Sequence, residues 1–200
     1  MGRLDAMAWD TEVTQRKLLD AGARQFAAHG FAGARMETIG RDAGVNKERV
    51  YSYFGDKRGF FAAVLSDQLD SLLEDVPVRG TGPDAVGGFA GRLFDYYQAR
   101  PLIARLLAWE SLELSEPVAV ERRTALCQDR AAAIGAALHG VDAECGSDVL
   151  LSVLTLVTGW WTLSGLTAVV LDADAGDASR RATIVAQARQ LATLRASAPA

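Results

Sequence analysis

The chain has 200 residues, half of them apolar and 23% charged, with a formal net charge of −4. That composition excludes a disordered or fibrous chain, and the length gives one large domain or two small ones with a sizeable core. The charge is uneven: residues 1–60 hold ten Lys/Arg against eight Asp/Glu, and residues 61–200 hold eleven against seventeen, so a polyanionic partner suits the front of the chain only.

The N-terminal stretch has no apolar run of the kind a secretory leader needs. Leu18, Leu19, Gly22, Ala23, Phe26 and Ala27 keep helical spacing and predict a helix over 11–29, with Thr11 as N-cap and His29-Gly30 as its stop. A short helix is expected over 36–43, with Met36, Ile39 and Ala43 on one face and Gly44 taking a left-handed cap. Asn46 then caps a helix that holds Val50, Tyr51, Tyr53 and Phe54. Gly55-Asp56 breaks the chain, and Asp56 caps a longer helix from 57 to about 75 through Phe60, Phe61, Val64, Leu65, Leu69 and Leu72.

Residues 77–84, PVRGTGPD, form a linker-like break. Helices are expected beyond it at about 84–99, 102–115, 117–139, 147–172 and 177–195, with Pro101 and Pro117 in first turns. No alternating run bounded by hairpin turns interrupts them, so the predicted fold class is all-α. Residues 149–171 carry no charge, over a length that could span a membrane. Ser152, Thr155, Thr158, Gly159, Thr162, Ser164, Gly165 and Thr167 dilute that stretch, and Asp148 and Asp172 flank it without a basic side. A helix buried on all sides by protein is expected there, a membrane-anchored protein being the alternative.

Cys127 and Cys145 form no CxxC pair, which points to a reduced, cytoplasmic setting. His29 and His139 are far apart, and no metal-ligand, cofactor or nucleophile grouping is visible. An all-helical enzyme therefore stands only as an alternative.

The pair 36–43 and 46–54, joined through Gly44, has the lengths and turn of a helix-turn-helix. Ala43-Gly44 supply small residues for the crossing, and Ile39, Val45, Val50 and Phe54, with Phe26, are expected as the core of a three-helix domain. On DNA, such a second helix enters the major groove N-terminus first and sets Lys47, Glu48 and Arg49 at base edges. Arginine can pair bidentately with guanine, and glutamate can accept from cytosine N4. The tyrosine hydroxyls and lysines suit phosphate oxygens, and Asn46 and Ser52 complete the candidate face. An ordinary helical hairpin with a solvated charged face is the other reading of these residues.

Residues 18–65, LLDAGARQFAAHGFAGARMETIGRDAGVNKERVYSYFGDKRGFFAAVL, resemble the N-terminal DNA-binding domain of the TetR family of transcriptional regulators. The match runs through Gly30-Phe31, Ile39, Ala43-Gly44-Val45, Lys47, Tyr51, Tyr53-Phe54 and Lys57. The resemblance implies a homodimer on double-stranded operator DNA, with a C-terminal domain whose small-molecule effector releases the DNA. By position it makes Lys47, Tyr51, Tyr53 and Lys57 DNA contacts and Glu48 and Arg49 specificity-setting. Ala34 and Arg35 stand where the family usually has Thr or Ser entering the second helix. Arg35 is expected to place a charge on phosphate, with loss of a cap costing about 1 kcal/mol. Residues 1–10, with Arg3 and Trp9, exceed the family minimum and are expected as a flexible arm, minor-groove contact being the alternative. The expected domains are 11–58 for helix-turn-helix DNA binding and 59–195 for effector binding and dimerisation, with a disordered tail at 196–200.

By the same analogy, helices 147–172 and 177–195 form a four-helix dimer interface, with small residues at 152, 155, 159 and 162 on one stripe. Two-fold symmetry would set two recognition helices ~34 Å apart on a roughly palindromic operator. The candidate effector pocket draws on Phe89, Leu93, Phe94, Tyr97, Leu106, Trp109, Trp160 and Trp161, each of which also suits a plain core position. Glu110 shares an apolar stripe with Ile103, Leu107 and Leu114, so it meets a polar or cationic effector, pairs with Arg105 or Arg130, or emerges at the rim.

Overall fold

The computed structural model describes residues 3–70, 72–138, 143–171 and 176–196. The described elements are α1 (Arg3–Gly33), α2 (Met36–Ala43), α3 (Lys47–Phe54), α4 (Lys57–Leu69), α5 (Leu72–Asp75), α6 (Gly82–Ala99), α7 (Pro101–Glu113), α8 (Val120–Ala137), α9 (Ala143–Thr162), α10 (Ser164–Val170) and α11 (Asp177–Ala196). The fold is all-α, with no strand among the described residues.

The chain divides into two compact units. One holds the chain up to Asp70 together with Arg105–Val120, and the other holds Ser71–Ala104 and the chain from Glu121. The division expected after residue 58 is therefore displaced, and the physical reason is α4. The Phe26 ring of α1 lies 5.7 Å from that of Phe60 and 5.0 Å from that of Phe61. Phe60, Phe61, Val64 and Leu65 are fully buried, so α4 completes the core on which α1, α2 and α3 rest. Each such side chain contributes about 1.5–3 kcal/mol of burial.

Helix α1 begins at Arg3 instead of Thr11, because residues 3–10 contain neither Gly nor Pro and nothing halts the helix before them. The expected flexible arm is helical backbone from residue 3. The side chains of Arg3 and Trp9 lie outside the described residues, as do His139, Asp172 and the tail beyond 196. Gly30 interrupts the helical run at φ 74°, the position where a stop is expected.

In the second unit, α11 lies along α6. Ile184, Ala188 and Ala192 are fully buried at four-residue spacing. Gly87 keeps the approach close: a Cβ there would stand 3.1 Å from the Val185 carbonyl oxygen. Arg181 forks onto Asp95 at 2.6 and 2.7 Å beside this seam.

Three helix expectations are corrected. The helix expected to run from 57 to about 75 stops at Leu69, and α5 follows as a separate turn. The helix expected from 117 starts at Val120, because Glu116 and Val118 are held by side chains described below and Ala119 takes φ 51°. The helix expected over 147–172 is not one helix, nor is it buried on all sides. It begins at Ala143 and ends at Thr162; Leu163 leaves helical angles (φ −109°, ψ 33°) and α10 departs at 84°. The weak helix formers Thr162, Ser164 and Gly165 surround the break. No residue of α10 is buried, and Val169 is 83% exposed. Among the described residues no single helix is long and apolar enough to cross a membrane.

Candidate nucleic-acid interface

The hairpin of α2 and α3 is built by local chemistry. Gly44 ends α2 at φ 76°, ψ 26°, and its N–H donates to the Arg41 carbonyl at 3.1 Å. The Val45 N–H closes the turn on the Gly40 carbonyl at 2.8 Å. Gly40 is the small residue that permits this closure, since a Cβ there would stand 2.8 Å from the Val45 carbonyl oxygen. The close approach expected at Ala43-Gly44 falls at Gly40 instead, since space is open around Gly44. Asn46 then caps α3, its Oδ1 accepting from the Arg49 N–H at 3.0 Å.

Burial divides α3 into two faces. Val50 and, from α2, Ile39 are fully buried. Lys47, Glu48, Arg49, Tyr51 and Ser52 are exposed, and Tyr53 is half-buried. Val45 and Phe54, expected in the core, are also half-buried, and the Phe54 ring rests 4.8 Å from that of Phe60. The hairpin thus turns cations, a carboxylate and phenols outward from a packed interior. The Arg49 guanidinium is steadied by Tyr53, donating from Nε to the hydroxyl at 3.1 Å with its carbon 5.8 Å from the ring centroid. Lys47 donates to Glu37, in the first turn of α2, at 2.7 Å. Each raises the other's tendency to stay charged: the bond from Lys47 holds the Glu37 carboxyl below its ordinary range and the Lys47 ammonium sits above its own.

Arg35 occupies the N-cap position of α2 in an extended conformation, without a side-chain cap, as its residue type leads one to expect. It is exposed beside the hairpin. Lys57 opens α4. It is half-buried, donates from Nζ to the Ala32 carbonyl at 3.0 Å, and lies 5.2 Å from the Phe31 ring centroid. Burial lowers its affinity for a proton, with Glu113 opposing the effect. Lys57→Met should therefore cost about 1 kcal/mol of unfolding free energy in urea titration. Unchanged stability with a uniform loss of DNA affinity would instead return Lys57 to phosphate.

The segment 105–120 buttresses this unit, a role not seen in the sequence. Arg105 Nε and Trp109 Nε1 donate to the Ala27 carbonyl at 2.9 and 3.3 Å. The Ala32 N–H donates to the Glu113 carboxylate at 2.7 Å. Arg58 donates to the Glu116 carbonyl at 2.9 Å. Glu110, only 4% exposed, accepts from the Val118 N–H at 2.8 Å. Glu110 thus spends an oxygen on the turn ahead of α8.

The candidate effector residues divide between the units. Leu106, Trp109 and Glu110 belong to the first. In the second, Phe89, Leu93, Phe94 and Tyr97 are buried along α6, and the Trp161 ring sits 4.9 Å from Phe94 and 5.8 Å from Tyr97. Burial pushes the Tyr97 phenol far up. Trp160 turns away from this group to donate to Asp177 at 2.9 Å. Arg130 is half-buried on α8, where desolvation lowers its guanidinium's proton affinity. Along α9 and α10, the exposed Leu163 and Leu166, with Gly159, Trp160, Val170 and Arg180, frame an apolar groove of about 280 Å³.

Residues 18–64 match the family described as "Bacterial regulatory proteins, tetR family", and residues 85–190 match "Tetracyclin repressor-like, C-terminal domain". The chain is 37% identical over 158 residues to the HTH-type transcriptional repressor SCO4008 of Streptomyces coelicolor, covering 76% of this chain and 80% of that one. It is 30% identical over 109 residues to the HTH-type transcriptional repressor NicS of Pseudomonas putida, covering 52% of this chain and 51% of that one. Among solved structures, SCO4942 of Streptomyces coelicolor, described as a transcriptional regulator, superposes with a TM-score of 0.73 at 28% identity, over 89% of this chain and 97% of that one.

Proposed function

Because this chain belongs to the tetR family of bacterial regulatory proteins, we propose that it is a ligand-responsive transcriptional repressor that binds operator DNA as a homodimer in the cytoplasm. The observation that carries this is the outward face of α3. Lys47, Glu48, Arg49, Tyr51 and Ser52 are exposed on a helix whose inner side is pinned by Val50 and whose start is fixed by Asn46. A helix held in that way presents the same side chains to every DNA site it meets, which sequence-selective binding requires.

The roles follow from chemistry. Arg49 and Glu48 read base edges, Lys47 and Tyr51 lie at base or phosphate, and Arg35, Tyr53 and Ser52 border the face. Asn46 contributes by capping. Dimerisation is assigned to α9, α10 and α11, where Leu151, Leu163, Leu166, Val169, Val170 and Leu194 are all more than half exposed. Monomers rarely leave apolar surface so concentrated. The effector is assigned to the aromatic group of Phe94, Tyr97 and Trp161 in the second unit, where Tyr97 stacks on Trp161 and Phe94 meets it at a tilt, a set of rings that suits an apolar or aromatic small molecule.

The test is binding of the full chain to duplexes from the region upstream of its own gene and to random duplexes of equal length. The proposal expects tighter binding to at least one upstream duplex by a factor of roughly 10³ or more at 0.1–0.15 M salt. Equal affinity for both would refute it.

A further inference from the structure

The ion pair on the DNA-facing surface has a functional consequence. Lys47 stands in the first turn of α3 and Glu37 in the first turn of α2, with Nζ and Oε1 2.7 Å apart. Of the other acids near the hairpin, Asp56 accepts from the Gly59 N–H at the start of α4, Asp42 accepts from Gln25 Nε2, and Glu48 is exposed beside Lys47, where its charge adds a smaller attraction to the ammonium. Glu37 instead occupies a cation of the recognition helix, and its side chain is 71% exposed.

We propose that Glu37 acts as an internal competitor of DNA: its carboxylate holds the Lys47 ammonium that the nucleic acid would otherwise take, and so limits sequence-independent binding. This rests on the DNA-binding reading given above and goes beyond it by assigning a residue that opposes binding. Phosphate oxygens and a carboxylate are alternative acceptors for one ammonium, so contact with DNA requires the Glu37 bond to be given up. An exposed ion pair alters an equilibrium by up to about fivefold, and a dimer breaks two of them. The carboxylate also repels the approaching phosphates by the same Coulomb law. Every sequence bears the same cost, so the pair lowers affinity for operator and random DNA alike and leaves their ratio unchanged; the effect is read most plainly on random DNA, where no base contacts add to it.

The experiment compares wild type, Glu37→Gln, Lys47→Met and the double variant on one random 30-base-pair duplex across a salt series. Far-UV circular dichroism and melting confirm folding, and the exposed position of residue 37 makes its replacement benign. Glu37→Gln is expected to tighten random binding by roughly 3- to 20-fold at each salt concentration. In the Lys47→Met background the gain should fall at least threefold. Unchanged or weaker binding by Glu37→Gln would overturn the proposal, as would a gain that persists undiminished without Lys47. If wild type binds no duplex even at low salt, the DNA-binding reading fails and takes this inference with it. If wild type binds and the variants do not differ, this inference alone fails.

Discussion

Glu110→Ala is expected to destabilise the protein by about 2–3 kcal/mol, a fall in Tm of roughly 4–12 °C for a chain of this size. The carboxylate is 4% exposed and accepts from a buried backbone N–H, that of Val118, eight residues on. Alanine removes this charged acceptor in a place that admits little water, and loss of a hydrogen bond to a charged group costs about 1.5–3 kcal/mol. Glu110→Gln keeps an oxygen at the same reach and should cost about 1 kcal/mol or less. The pair of variants separates two roles for the residue. If Glu110 serves the turn at 114–119, stability follows the order glutamate, glutamine, alanine, and effector response survives in the glutamine variant. A glutamine variant of normal Tm that no longer releases DNA with effector would assign the carboxylate to the ligand instead. Chemical denaturation and melting of the three proteins decide between them.

Arg49→Ala is expected to have the largest effect on DNA recognition. A good bidentate pair between arginine and guanine discriminates by about 1–3 kcal/mol, and two symmetric half-sites double that to a loss of roughly 30- to 20,000-fold at the operator. The guanidinium is poised for this by the Tyr53 hydroxyl, 3.1 Å from Nε, which limits the rotamers that must be frozen on binding. Random duplexes lose only the phosphate-type attraction of one charge per subunit, so their affinity should fall less than about tenfold. The specificity ratio therefore collapses while folding is preserved, because Arg49 is exposed and exposed substitutions change stability by about 0.5 kcal/mol or less. Titration of the variant on operator and random duplexes at one salt concentration checks this. An equal loss on both would move Arg49 from base edge to phosphate.

What the sequence revealed and what it hid follow from the range of the interactions. The bounds of α2 and α3 were legible because each is written within a few residues: Gly44 ends one helix and Asn46 begins the next. The outward and inward faces of α3 were legible from its period, with Val50 inward and Arg49 outward. Gly40 was missed because its neighbour is the Val45 backbone, and a backbone approach leaves no apolar pattern to count. The buttress of the first unit was hidden for a different reason. Arg105 and Trp109 reach Ala27 across 78 and 82 positions, and Glu113 reaches Ala32 across 81. Periodicity along a helix shows which residues face inward, not which distant carbonyl they meet. The bond from Lys57 to the Ala32 carbonyl, 25 positions back, was hidden for the same reason. The break at Leu163 was obscured by composition: an uncharged run looks continuous, yet Thr162, Ser164 and Gly165 are too weak as helix formers to carry it straight.

The central claim is that α3 reads DNA sequence. It is tested most directly by selecting bound duplexes from a fully randomised pool of about 30 base pairs with the full-length protein. The account predicts enrichment of a two-fold symmetric site whose half-sites lie about one helical turn, or a small multiple of it, apart. It also predicts that Arg49→Ala erases enrichment at particular bases within each half-site. A bound pool that stays random in sequence, although the protein retains it, would contradict the account.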